Sequence, residues 1–345
     1  MGEEGAAHSG RSIDEIMDVK KYHELGYKGQ GIKIAILDSG LGQDYLKALK
    51  DNTVKWKSGQ SDADEKHNDQ KASSKMNVVQ IIDFTQDRTD TDELSMESGQ
   101  DEFYAVDQNG HGTFVTGLIG SKDPNCPGLA PETEIYILKL FNEEEMTYSA
   151  WFLDAFNFVL DNGIDIVNLS TASKDTKDNP FIEKIDELTA AGVVVVSAIG
   201  NDGPTQGTSE SPADLLTVIG VGSLSYNFDR VATFSSRGMT KKSMLVSVGV
   251  PKPDVLLPGE ELLGLSLEPG VCRLNRGTSF SVPMLTGSIA LVLSAMEQEH
   301  GIEYRKAVQN TAVVKQAIIK SAVKLKDWSI VEQGAGKFNL NGFFE

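Results

Sequence analysis

Residues 31–40 read GIKIAILDSG. Apart from Lys33, the run from Ile32 to Leu37 is apolar, and it stops at Asp38-Ser39-Gly40. A strand with one wet face alternates apolar and polar residues. A continuous run needs cover on both faces, as in a parallel sheet clad with helices. EIYILKLF (134–141), DIVNLS (165–170), VVVVSAIG (193–200) and TVIGVGS (217–223) repeat the pattern. Helical periodicity fills the gaps, from Ser149 to Asp161 and from Phe181 to Ala191, where Gly192 stops it. The alternation predicts an α/β fold of three layers, a mainly parallel central sheet with helices on both faces. In such sheets ligands sit outside the carboxyl ends of the strands.

The 345 residues carry 32 Lys and Arg against 50 Asp and Glu, a net charge of −18. A chain of this length buries roughly 75% of its unfolded surface, so its core needs no disulfide. The acidic balance argues against a nucleic-acid partner, because phosphate binding needs a basic face. It suits basic substrates or calcium. Cys126 and Cys272 are too few for a zinc site or a disulfide framework, and they either form one bridge or stay free. The opening MGEEGAAHSGRS has no apolar stretch, so no signal peptide is visible. Gly277 to Met296 is uncharged over 20 residues but holds four Ser, two Thr, a Pro and two Gly. That is too polar for lipid and reads as a buried core helix, so no membrane span is expected. Residues 1–20 read as a flexible N-terminal arm, and the polar stretches 56–76 and 87–102 as surface insertions.

Three polar residues stand where a core would not place them. Asp38 ends the first apolar strand, His111 lies in NGHGTFVTGLIG (109–120), and Ser279 in RGTSFSVPMLTGSIALVL (276–293). Singly, each has a plain structural reading: a turn-forming Asp, a packed His, and an N-cap Ser for which Thr278 could substitute. Together they form the set acyl transfer requires. A serine hydroxyl is too weak a nucleophile without a base, and the imidazole needs a carboxylate on its other nitrogen to fix tautomer and orientation. The helix beginning at Ser279 adds partial positive charge where an oxyanion would develop. Asn201, in SAIGNDGP (197–204), is either an Asn-Asp-Gly turn or an amide donor to that oxyanion beside the Ser279 N–H.

With ILDSG (36–40), GHGTFVTG (110–117), GTSFSVP (277–283), FSSRG (234–238) and KPDVLLPG (252–259), the sequence resembles the subtilase family of serine proteases. The order Asp, His, Ser is also subtilisin's. Within the family it is most similar to the site-one protease branch. That likeness is carried by YSAWFLDAFNFVL (148–160), VSAIGNDGP (196–204), NFDRVATFSSRGM (227–239) and EQGAGKFNL (332–340). The resemblance implies a subtilisin-like peptidase domain over 21–345. It also implies a serine endopeptidase with Asp38, His111 and Ser279 as catalytic residues and Asn201 in the oxyanion hole, acting in proprotein processing. Substrates would be proteins or peptides bound as an extended strand between Ser170, Thr171, Ala172 and Ala198, Ile199, Gly200. Glu143, Glu144 and Glu145 would attract an upstream basic residue. The family's Gly-Gly after the first segment is Ala172-Ser173 here, which is expected to narrow or reshape the pocket before the cut bond. No metal or organic cofactor is required for the chemistry. The family leaves room for a structural calcium, although no loop shows convincing ligand spacing. An inhibitory propeptide outside this chain and a secretory or lumenal location also follow from the resemblance, and a Cys126–Cys272 bridge would suit that location. An inactive subtilase-fold scaffold is the rival reading. A nucleotide-binding protein is disfavoured by the missing third glycine and phosphate-loop lysine. A metalloprotease is disfavoured because none of the five histidines forms a paired ligand motif.

Overall fold

The computed structural model describes residues 12–49, 76–85, 105–240 and 249–345. Seven strands form the central sheet: β1 (Lys33–Asp38), β2 (Val78–Asp83), β3 (Glu134–Lys139), β4 (Ile166–Leu169), β5 (Val194–Ala198), β6 (Ile219–Leu224) and β7 (Val255–Pro258). Their order is β2-β3-β1-β4-β5-β6-β7, and every neighbouring pair is parallel. The predicted α/β class and parallel sheet hold.

Alternation along β1 divides the core. Ile34 and Ile36 join one apolar cluster, Ala35 and Leu37 the other. On the first face lie α2 (His111–Gly120) and α5 (Thr278–His300); on the second, α3 (Ser149–Asp161) and α4 (Asn179–Ala190). Helix α5 is long and apolar enough to cross a membrane by length and composition, yet 89% of its most apolar window is buried inside the protein. The reading of that stretch as a core helix agrees with this placement.

One sequence expectation changes in the structure, and one open question closes. The N-terminal arm is docked from Ser12 onward. Short helix α1 (Ile13–Met17) is closed by a capping box between Ser12 and Glu15, and Ile13 and Val19 are buried in the main core. Residues 1–11 of that arm lie outside the described residues. So do the two predicted insertions, except Met76, which is buried in the same core. The open question of the cysteines resolves to a bridge between Cys126 and Cys272. Cys272 lies on the second strand of a hairpin, β8 (Leu262–Leu265) with β9 (Cys272–Asn275), which packs against α2.

The chain runs from β1 to one side through β2 and β3, then crosses to β4 and continues to the other side. The reversal leaves a crevice at the carboxyl ends of β1 and β4. Asp38 ends β1, and Ser170 follows β4.

Candidate active site

A cleft of about 300 Å³ opens at that reversal, lined by Asp38, His111, Asn201 and Ser279 among others. Asp38 is 2% exposed. Its Oδ1 accepts from His111 Nδ1 at 2.7 Å and from Ser39 N–H at 2.8 Å. A carboxylate only accepts, so Nδ1 carries the proton and Nε2 of the neutral ring is left as the basic nitrogen.

His111 is the first residue of α2, after Gly110 in a left-handed conformation (φ 87°). A buried network fixes this entry. Asp107 Oδ1 accepts from Ser39 Oγ at 2.9 Å, Asn109 N–H at 3.2 Å and Gly110 N–H at 2.9 Å. Its Oδ2 accepts from Thr113 N–H at 2.8 Å and Thr113 Oγ1 at 2.6 Å. Ser39 Oγ accepts in turn from Gly112 N–H at 2.9 Å. The two loops approach so closely that a Cβ on Gly112 would lie 2.4 Å from the Gly40 carbonyl oxygen, which explains the glycine after His111. Below them Lys139 Nζ donates to the carbonyls of Ser39 (2.9 Å) and Val106 (3.0 Å). Burial pulls this amine's pKa down, and the surrounding carboxylates, Asp83 first, oppose the shift.

The His111 ring is 32% exposed at the cleft and packs against Phe280, with centroids 5.3 Å apart. Burial alone would lower its pKa. The adjacent Asp38 carboxylate and its hydrogen bond outweigh burial, with help from Asp107 and Glu145, so the net shift is upward from the ordinary 6.5.

Ser279 is the second residue of α5 and is partly exposed, while Thr278 and Phe280 on either side are buried. It is no N-cap: that position is Gly277, and no side chain caps the helix. Thr278 is not a cap either. Its N–H and Oγ1 donate to Asn201 Oδ1 at 2.9 and 3.0 Å. Asn201 is therefore more than a turn residue. With Oδ1 engaged as an acceptor, its Nδ2 is the donor end, at the start of a helix whose first N–H groups have no carbonyl one turn back.

The predicted flanks divide. Ser170, Thr171, Ala172, Ala198 and Gly200 line the cleft. Ile199 is fully buried behind the wall, where its carbonyl accepts from Glu210 N–H at 3.1 Å. Glu145 lines the cleft and accepts from Asn109 Nδ2 at 3.1 Å, while Glu143 accepts from Gln108 Nε2 at 2.9 Å. Both glutamates also line an adjoining cavity of about 210 Å³; Glu144 is exposed and lines neither. Among the described residues one group of carboxylate and sulfur atoms is close enough for a metal, Asp123 with Cys126 and Cys272. Its sulfurs are bridged to each other and offer no thiolate. Sequence reasoning missed Ser39, Asp107, Asn109, Lys139 and Glu210. For Asp107 a signal existed: an Asp just ahead of a helix start is a ready acceptor for its N–H groups.

Comparison with known proteins follows the same lines. The family model described as "Subtilase family" matches residues 29–338. The chain is 36% identical over 330 residues to the Homo sapiens membrane-bound transcription factor site-1 protease, covering 96% of this chain and 26% of that protein. It is 35% identical over 322 residues to the Arabidopsis thaliana subtilisin-like protease SBT6.1, covering 93% and 26%. Subtilisin DY of Bacillus licheniformis is 28% identical over 302 residues, covering 86% of this chain and 89% of that one. The chain thus spans about a quarter of the first two relatives and nearly all of the third. Among solved structures, the prenylagaramide maturation protease PagA superposes with a TM-score of 0.67 at 21% identity, covering 94% of this chain and 97% of that one, a likeness of fold.

Proposed function

The chain belongs to the subtilase family, and from that premise we propose that it is a proprotein-processing serine endopeptidase working through an acyl-enzyme. The observation that carries the reading is the 2.7 Å contact between Asp38 and His111 on the cleft that Ser279 and Asn201 also line. Ser279 Oγ attacks the scissile carbonyl. His111 Nε2 takes its proton and then delivers it to the leaving amine, while Asp38 holds the ring and stabilises its cationic form. The Asn201 amide and the Ser279 N–H receive the oxyanion. The acyl-enzyme is released by water through the same base. No metal or organic cofactor enters these steps.

His111 works as a base only when neutral, and its pKa is raised. Activity should therefore rise with pH, with a midpoint above the ordinary value of ~6.5. A midpoint at or below that value would contradict the Asp38 pairing. The carboxylates of Glu143 and Glu145 favour substrates with a basic residue upstream of the cut, and the relatives with processing roles favour a secretory-pathway location. Fluorophosphonate labelling tests the core of the reading. Wild type should be modified at Ser279 and should cleave peptides, and Ser279→Ala should do neither. An unlabelled Ser279 in folded protein would make the chain a scaffold.

A further inference from the structure

Phe280 follows Ser279 on α5 and has no part in the steps described above. It is 5% exposed. Its ring lies against His111, with centroids 5.3 Å apart and planes tilted by 41°. It also lies against Phe114, with centroids 4.6 Å apart. His111 and Phe114 are one helical turn apart on α2 and so share a face of that helix, and Phe280 rests on both. Phe114 is 1% exposed and has no room to retreat: a Cβ on Gly264 of β8 would lie 2.8 Å from its Cζ. The Phe280 ring is thus fixed by apolar packing. The charged groups that bear on His111 come from other elements: Asp38 at the end of β1, Asp107 in the loop before α2 and Glu145 in the loop after β3. Lys139 sits below the first two loops, at the Ser39 and Val106 carbonyls, and Glu210, between β5 and β6, also lines the cleft. What α5 sets against the imidazole is an uncharged aromatic ring.

From this packing we infer that Phe280 is a positioning residue for the proton transfer: it holds the His111 ring and, through its π electrons, stabilises the imidazolium that forms when Ser279 yields its proton. The inference rests on the protease reading above. An aromatic face carries partial negative charge and attracts a cation within about 6 Å of its centroid. The neutral imidazole gains little from that attraction, and the imidazolium gains much more. The ring therefore contributes mainly in the transition state, where an interaction raises kcat rather than tightening substrate binding. A leucine at the same place would bury the imidazole as well, without the π electrons.

The test replaces Phe280 with Leu, with Tyr and with a series of ring-fluorinated phenylalanines, which nearly keep the ring's size and drain charge from its face. Peptide hydrolysis is followed against pH and normalised to the fraction of protein that a fluorophosphonate titrates. Phe280→Leu should lower the plateau kcat by about 2–30-fold with KM little changed. It should also move the pH midpoint downward by roughly 0.4–1.5 pH units, because the cationic form of His111 loses a partner. Phe280→Tyr should restore both, and each added fluorine should lower both in steps. Enzyme that titrates and cleaves, with a midpoint unmoved across the fluorinated series, would overturn the inference and leave the protease reading intact. That series decides the matter even where Phe280→Leu fails to fold. Folded wild type that neither labels nor cleaves would overturn the protease reading, and the inference with it.

Discussion

Within one cleft, two neighbouring regions are built on opposite terms. Asp38, Ser39, Asp107 and Lys139 are each at most 5% exposed, and between them they fix both loops that meet at His111. Glu143 and Glu145 are exposed at the rim, held by single contacts from Gln108 and Asn109, and Glu144 between them is exposed too. Buried charges persist only when hydrogen-bonded, so the first region has one arrangement and little freedom to drift. Rim charges are screened by water and contribute modestly. The difference teaches where chemistry and selection reside: proton transfer needs fixed atoms, whereas substrate choice tolerates a soft edge.

Four substitutions would break or sharpen this contrast. Ser279→Ala removes the proposed nucleophile at the junction of the two regions and should cut kcat by about 10⁶-fold, read by pre-steady-state peptide hydrolysis. A residual rate within a hundredfold of wild type would point to another nucleophile. Asn201→Ala should cost ~10²–10³ in kcat with KM little changed, the loss known for the oxyanion asparagine in subtilisin. A change confined to KM would assign the amide to substrate binding instead. Asp107→Asn keeps the shape of the buried network and removes its charge. Displacement of His111 should lower kcat by about 10–100-fold. Because the Asp107 charge helps raise the His111 pKa, the pH midpoint should move downward. An unchanged midpoint would reduce Asp107 to scaffolding. Least affected should be the rim. Glu145→Gln should leave an uncharged peptide within about twofold and weaken one with upstream Arg by no more than roughly fivefold, the range of an exposed ion pair. A larger effect would mean that the rim is as rigid as the interior.

Much of this was legible in the residues themselves. The strand runs, the helix after Gly277 and the order Asp38, His111, Ser279 follow from apolar continuity and the demands of acyl transfer. The Asp107–Ser39–Gly112 network was not, because its partners are joined across more than sixty positions by tertiary approach. Lys139 reads in sequence as a strand lysine, and only the meeting of Ser39 and Val106 above it gives its amine acceptors. Glu210 looks like any polar loop residue until the Ser173–Ser211 pairing folds it into the cleft. The N-terminal segment misled because its apolar residues, Ile13, Ile16, Met17 and Val19, form only a short cluster after an opening with no apolar stretch, and it takes the rest of the core to bury them.

The Cys126–Cys272 bridge joins the loop after the helix that carries His111 to a strand that begins seven residues ahead of Ser279, across a separation of 146 residues. In the chain-entropy view, closing so long a span restricts the unfolded ensemble by up to about 5 kcal/mol. That benefit exists only where thiols stay oxidised, so a reducing milieu would loosen the tie between the two halves of the machinery before it touched any reacting atom.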